Sequence, residues 1–259
     1  MTSLVKALGI RPGIVCAVGA GGKKTLLYRI AAAWPGRVAI TNTVYARLVP
    51  DEVGAPVFLS PAETLSDTVR GTGERRFAYS LPEAKSGRQA GIEGERIAAI
   101  HRIAGLDLTL VKADGARMRW LKAPRANEPV LPPDTDRVLA VLSARALGES
   151  LGDRIAHRAD AVGAAMGLRV GDTVTPSAMA RLFLSDSGVA SNLGTVPVVP
   201  VINMVDDEDR RTLARETAAH ILAASTRFDR VVLTCLKDRG AVRVETITTR
   251  DPAVREASA

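Results

Sequence analysis

Short continuous apolar runs alternate along the chain with segments whose apolar residues recur every three or four positions, and polar or Gly- and Pro-rich stretches separate them. Continuous apolar runs of this length read as strands buried on both faces, and the wider spacing reads as helices that cover them. The pattern predicts strands at 14–18 and 37–40 around a helix at 24–33, with Thr41, Asn42 and Thr43 ending the second strand. A helix at 93–104 leads into a strong strand at 106–111, and another strand follows at 137–142. Helices at 152–165 and 176–184, a strand at 196–202, a helix at 207–224 and a strand at 230–234 continue the series. Thr175 is a good N-cap before Pro176 at the first helical position. Residues 241–248 alternate apolar and polar like an edge strand. This order predicts an α/β fold with a mostly parallel sheet flanked by helices.

Two stretches break the pattern. Residues 50–94 are rich in Gly, Pro, Ser and charge, with short extended pieces at 56–59 and 76–80, and read as a small irregular or β insertion. Residues 118–135 form a proline-rich loop. Residues 1–250 are expected to make a single domain, and 251–259 a flexible tail.

Composition narrows the class. Hydrophobic residues make up 46% of the 259 positions but aromatics only 3%, so Ala, Val, Leu and Ile must fill the core. The net charge of +7 favours anionic partners, but the arginines are scattered and few aromatics could stack on bases, so nucleic acid is disfavoured. Cys16 and Cys235 lie in apolar, strand-like runs and read as buried free thiols in a reducing compartment. The N-terminus lacks a long apolar core with a cleavage site, and no run is long enough to span a bilayer. The expectation is a cytoplasmic protein with no membrane partner.

Three constellations carry candidate chemistry. In IVCAVGAGGKKTLL, at 14–27, a strand-like run breaks into glycines and then lysines that open a helix. Glycines let backbone N–H groups turn towards an anion, the helix N-terminus is partly positive, and a lysine reaches terminal phosphates. Gly19, Gly21, Gly22 and Lys23 form this loop. The full GxxxxGK(S/T) pattern wants glycine at Ala17 and a magnesium-binding hydroxyl at Lys24. A shift of one residue recovers Thr25 but puts Val18 and Lys23 at the glycine positions, so an ordinary glycine-rich βα turn also fits.

The second is Asp114, which follows the strand at 106–111. A carboxylate at a buried strand's end can hold magnesium or an attacking water, whereas Asp114 and Gly115 alone would also make a turn. In the third, VVPVINMVD at 198–206 delivers Asn203 and Asp206 with the spacing of an NKxD guanine-reading element. A helix cap by Asp206 or Asp207 is the competing reading.

Taken in order, VGAGGKKTLL, TNT, VKADGARMRWLKAP, NEPVLP, AHR and INMVD resemble the YqeC family of selenium-dependent hydroxylase accessory proteins. The resemblance covers most of the chain and implies a P-loop NTPase-like protein of the same broad group as metallochaperone GTPases. It implies a role in maturation of molybdenum hydroxylases, with or without selenium. The implied ligands are a nucleoside triphosphate (GTP or ATP) with magnesium, or a molybdopterin-type compound. The implied partners are a molybdenum hydroxylase or its maturation proteins. Beside the loop, Asp114, Asn203 and Asp206, the positions Gly115, Lys122, Glu128, His157 and Arg158 also match family motifs.

Three positions depart from the family's pattern: Lys24 where Thr or Ser is usual, Lys112 where Glu is usual, and Met204 where Lys is usual. Loss of a hydroxyl and a carboxylate in favour of two ammonium groups lowers affinity for a divalent ion. Hydrolysis is then expected to be slow or absent, while anion binding survives.

In an active NTPase, Lys23 would clamp phosphates, Gly21 and Gly22 would cradle them, and Asp114 would hold magnesium or water, with Thr25 as a further metal ligand in the shifted register. Asn203 and Asp206 would read the base. His157 is a proton-carrier candidate, although a lone histidine is commonly a structural hydrogen-bonder. The alternative is a catalytically silent module that binds a pterin nucleotide or a partner protein. A nucleotidyl or phosphoryl transferase is a third class.

Overall fold

The computed structural model describes residues 3–236, 242–252 and 254. In chain order the elements are α1 (Ser3–Ala7), β1 (Gly13–Gly19), α2 (Lys23–Ala33), β2 (Val38–Asn42), β3 (Ala46–Arg47), β4 (Val57–Leu59), α3 (Leu65–Gly71), β5 (Arg76–Ser80), β6 (Arg88–Gln89), α4 (Gly94–Ile103) and β7 (Leu108–Lys112). There follow β8 (Leu121–Lys122), β9 (Thr135–Ser143), β10 (Ala156–His157), α5 (Ala159–Met166), α6 (Pro176–Leu184), β11 (Val198–Asn203), α7 (Glu208–Ala224), β12 (Arg230–Cys235) and β13 (Arg243–Thr248). The fold is α/β, with a nine-stranded, mostly parallel sheet flanked by helices and consistent with a P-loop NTPase-like architecture.

Contacts divide the chain into two compact units. The first takes the described residues within Met1–Ala17, Lys24–Gly115 and Val130–Val138. Its strands run in the order β9-β1-β7-β2-β5-β4, and the pairings of β1 with β7, β7 with β2, β2 with β5 and β5 with β4 are all parallel. The strands are short and apolar because both faces are covered: every residue of β2 is buried, and so are four of the five in β5. The pieces expected at 56–59 and 76–80 are therefore strands of the main sheet. The small β element of that stretch is the antiparallel pair β3-β6.

Arg37 ties this unit's loops together. Its guanidinium donates to the carbonyls of Ala104, Val69 and Thr72 and lies over the Phe77 ring, 5.6 Å from its centroid. At the start of β1, the Asp136 carboxylate accepts the Ile14 N–H at 2.7 Å. A Cβ on Gly13 would lie 2.0 Å from that carboxylate oxygen, which explains a glycine there. Cys16 packs nearby, its Sγ 3.7 Å from the Thr135 hydroxyl, and burial pushes the thiol up to about 12. Both cysteines are free and buried.

The second unit takes the described residues within Val18–Lys23, Ala116–Pro129 and Leu139–Ala259. Its strands run β13-β12-β11-β9, with β11 parallel to β12 and β13 antiparallel along β12. The predicted edge strand is β13. Its expected first residue, Ala241, lies outside the described residues, as do 253 and 255–259 of the expected tail. Asp251 accepts the Thr248 N–H at 2.6 Å, and Val254 is buried.

Helix α5 starts later than the apolar spacing predicts. Ile155 and Ala156 fit a helical stripe, but residues 156–157 pair in parallel with β8, and Arg158 adopts left-handed φ 66° before the helix begins. The helix α6 matches its prediction at both ends, because Thr175 accepts the Ala178 N–H at 3.2 Å and Pro176 opens the first turn.

Removing that cap leaves an N–H unsatisfied. Thr175→Ala is expected to cost about 1 kcal/mol in denaturant unfolding, and Thr175→Ser to recover most of it.

Candidate functional site

The glycine-lysine loop lies in the second unit, and packing explains each of its glycines. Gly19, Gly21 and Gly22 have φ of 89°, 77° and 111°, where a side chain is strained. A Cβ would lie 2.3 Å from the Val141 carbonyl oxygen at Gly19, 2.6 Å from Ser143 Cβ at Gly21, and 2.3 Å from Asn203 Nδ2 at Gly22. Two loop amides are engaged, since Ala20 N–H donates to the Val141 carbonyl at 2.7 Å and Gly21 N–H to the Arg119 carbonyl at 3.0 Å. Gly21 thus shapes the loop while its own N–H is spent. Lys23 is 5% exposed, and its ammonium donates to the Gly19 carbonyl.

Asn203 clamps this loop from β11. Its Nδ2 donates to the Gly21 carbonyl at 2.8 Å, and its Oδ1 accepts from the Thr234 hydroxyl at 2.9 Å. A carboxamide nitrogen has two hydrogens, so one donor remains beyond this clamp. Asp206 Oδ2 accepts from the Arg145 Nε at 2.9 Å and Nη2 at 2.5 Å, and Oδ1 accepts from Cys235 Sγ at 3.5 Å. Asp207 caps α7 by accepting the Arg210 N–H at 2.8 Å. Beside Asp207 is a cavity of about 180 Å³, lined also by Val205, Arg211, Thr234, Arg243 and Glu245 among others. Arg145, just past β9, and Thr234, within β12, carried no sequence signal as site residues.

A second cluster in this unit gathers four residues singled out by motif. The β8-β10 register sets Lys122 beside His157. Lys122 is fully buried with its Nζ 2.9 Å from Glu128 Oε2, and the Arg158 guanidinium donates to the Ala123 carbonyl. Asn192 holds the Glu128 carbonyl at 3.0 Å. Burial, followed by the charges of Lys122, Arg117 and Arg158, pushes His157 below its ordinary value, against a smaller upward pull from Glu128. A neutral imidazole at neutral pH can accept or donate one hydrogen bond.

Asp114, Thr25, Lys24 and Lys112 belong to the first unit. Asp114 is buried just beyond β7, and Thr25 is exposed on the first turn of α2. Lys24 donates to the carbonyls of Arg47 at 3.0 Å and Leu48 at 3.2 Å. Burial, and then the Arg47 charge, pushes it down to about 8. Among the described residues no group of three or more His, Cys, Asp or Glu could hold a metal. The charged side chains that line the niche at Lys24 are those of Lys24, Arg47 and Lys112, with no carboxylate of the kind that magnesium takes.

A family model described as YqeC protein matches residues 15–160, more than half of the chain. The chain belongs to the YqeC family. The uncharacterized protein YqeC of Escherichia coli (strain K12) is 30% identical over 197 residues, covering 74% of this chain and 76% of that protein. The region matched by the YqeC model holds the glycine loop, Asp114 and the Lys122–His157 cluster, whereas Asn203 and Asp206 fall outside it.

Gly22→Ala is expected to destabilise by about 2 kcal/mol or more through strain and collision with Asn203, as read by denaturant unfolding. Combined with Asn203→Ala, the two costs should sum to less than the separate values, because the collision is removed.

His157 also sets a pH dependence. Because its folded-state value is depressed, its contribution to stability is complete above the ordinary histidine range and is lost as pH falls through it. His157→Gln should flatten the fall of unfolding free energy with acid by a fraction of a proton. His101 is shifted the same way, chiefly by burial, so the difference between wild type and variant isolates His157.

Proposed function

We propose that this YqeC-family protein is a nucleotide-binding accessory factor for maturation of, or cofactor delivery to, a molybdenum hydroxylase, selenium-dependent or not. The observation that carries the nucleotide half is the loop that leads into Lys23, where Gly19, Gly21 and Gly22 are held in left-handed backbone by packing. Such a loop ends on the first turn of α2, whose leading N–H groups have no partner within the helix. The maturation half rests on the resemblance of the chain's ordered motifs to accessory proteins of such hydroxylases, and the net charge of +7 agrees with an anionic ligand.

In this reading Lys23 leaves the Gly19 carbonyl for a phosphate, and Asn203 keeps the loop in register while its remaining donor faces a ligand. The 180 Å³ cavity beside Asp207 and Thr234 would take a bicyclic heterocycle, a purine or a pterin. A second reading, a silent module holding a pterin nucleotide or a partner protein, is favoured by Lys24 and Lys112. They stand where an NTPase needs oxygens for magnesium.

Titration with fluorescent GTP and ATP, with and without magnesium, tests the proposal. Binding is expected without magnesium, and Lys23→Ala should weaken it roughly tenfold to hundredfold, the worth of one charge-assisted hydrogen bond. Phosphate release should not exceed about 10⁻³ s⁻¹, the range of unassisted P-loop hydrolysis. Absence of nucleotide binding by folded protein at millimolar concentration would sink the nucleotide reading, and fast magnesium-dependent release would reject the silent module.

A further inference from the structure

Asp206 follows β11 with the spacing of a guanine-reading aspartate, yet its carboxylate is already taken. Oδ2 accepts from both Nε and Nη2 of Arg145, at 2.9 and 2.5 Å, and Oδ1 accepts from the Cys235 thiol at 3.5 Å. The pair is sheltered, with 32% of the Arg145 side chain and 20% of the Asp206 side chain exposed. Arg145 is itself anchored. It sits just past β9, where its N–H donates to the Ser143 hydroxyl at 3.2 Å, and that hydroxyl donates to the Met204 sulfur at 3.1 Å. The end of β9 thus holds two positions of the INMVD stretch, Met204 through Ser143 and Asp206 through Arg145. All four residues belong to the second unit.

The chemistry of this contact matches that of the ligand edge such an aspartate reads. Guanine offers a carboxylate two neighbouring donors, the ring N1–H and one hydrogen of the 2-amino group, joined through one carbon as in a cyclic guanidine. The Nε–H and Nη2–H of an arginine are the same pair on the same N–C–N frame, with a full positive charge added. A pterin carries this 2-amino-4-oxo edge too. Adenine does not, since its ring N1 is an acceptor and has no hydrogen to give a carboxylate.

Arg145 and a guanine edge therefore compete for one acceptor, and the resident group has two advantages. Its hydrogen bonds are charged on both sides, whereas those of a neutral base are charged only on the carboxylate side. It is also tethered, so it gives up no translational freedom to stay bound. We infer that Arg145 is a specificity-determining residue, an internal stand-in for the guanine edge that occupies Asp206 and leaves the chain unable to select guanine over adenine. Nucleotide affinity then comes from the phosphates at the glycine loop, and Asp206 adds nothing for either base. This role rests on the nucleotide reading of that loop and assigns its base specificity.

Equilibrium titration of the full chain with fluorescent GTP, inosine triphosphate and ATP, in a chelator, is the test. Wild type should bind GTP and ATP with dissociation constants within about threefold of each other. Arg145→Met, which keeps an unbranched stem but has no donor, should favour GTP over ATP by about tenfold or more, the worth of hydrogen bonds to a charged acceptor. Inosine triphosphate, whose base keeps N1–H and lacks the 2-amino group, should gain less than GTP. Arg145→Met combined with Asp206→Ala should bring the ratio back to near one, which a merely structural role of Arg145 would not do. A second measurement needs no variant: in wild type the Nε–H resonance of Arg145, followed by NMR, should persist unshifted at saturating GTP. Wild type that already prefers GTP to the extent expected of the variant, GTP that displaces the Arg145 resonance, or Arg145→Met that binds both nucleotides without preference would overturn the inference and leave the nucleotide reading standing. Failure of every nucleotide to bind the folded wild type and variant would overturn both.

Discussion

One side chain ties the candidate phosphate loop to two strands of the sheet. Asn203 is held by the Thr234 hydroxyl on one side and holds the Gly21 carbonyl on the other, so β12, β11 and the loop share a single hydrogen-bonded line. A loop pinned so closely has no space for side chains, and three glycines follow from that approach: Cβ atoms there would meet Val141, Ser143 and Asn203 itself. The usual account of such glycines, that the backbone must come close to a phosphate, is incomplete here. Close approach to the protein already requires them, and the loop comes to any ligand with its conformational cost met during folding.

Burial of positive charge is the second constraint, and the chain meets it in three ways. Lys122 is fully buried and sits beside Glu128, a pair that would be costly to break because either partner alone would be stranded in a low dielectric. Lys23 is almost as buried and turns onto a backbone carbonyl, a dipole that a phosphate could replace with a full charge. Lys24 has two carbonyls and a neighbouring arginine, and it responds by holding its proton more weakly. The first arrangement is that of a structural ion pair, and the other two lean on backbone dipoles.

Much of the α/β order was legible because it rests on local signals. The helix at 176–184 was bounded by a cap and a proline, and the buried strands announced themselves as β-branched runs. What the sequence hid is non-local. The short extended pieces at 56–59 and 76–80 enter the main sheet only through pairing with strands far away, and the helix at 152–165 loses its first turns to the β8-β10 pairing and to Arg158. In the site, the need for glycine was visible but its reason was not, since Asn203 and Gly21 are 182 positions apart. Asp207 makes the helix cap that the sequence offered for Asp206 or Asp207.

The same non-local assembly gives Lys24 and Lys112 their meaning. Read along the chain they are two separate losses of a metal ligand; in the fold they line one niche with Arg47, which no motif had marked. Arg47 comes from β3 and Lys112 from the end of β7, so the niche exists only through strand pairings that no single stretch of sequence announces. Lys24 itself is tied there by the carbonyls of Arg47 and Leu48, so the residue that departs from the phosphate-loop pattern is also the one that joins α2 to the β3 segment.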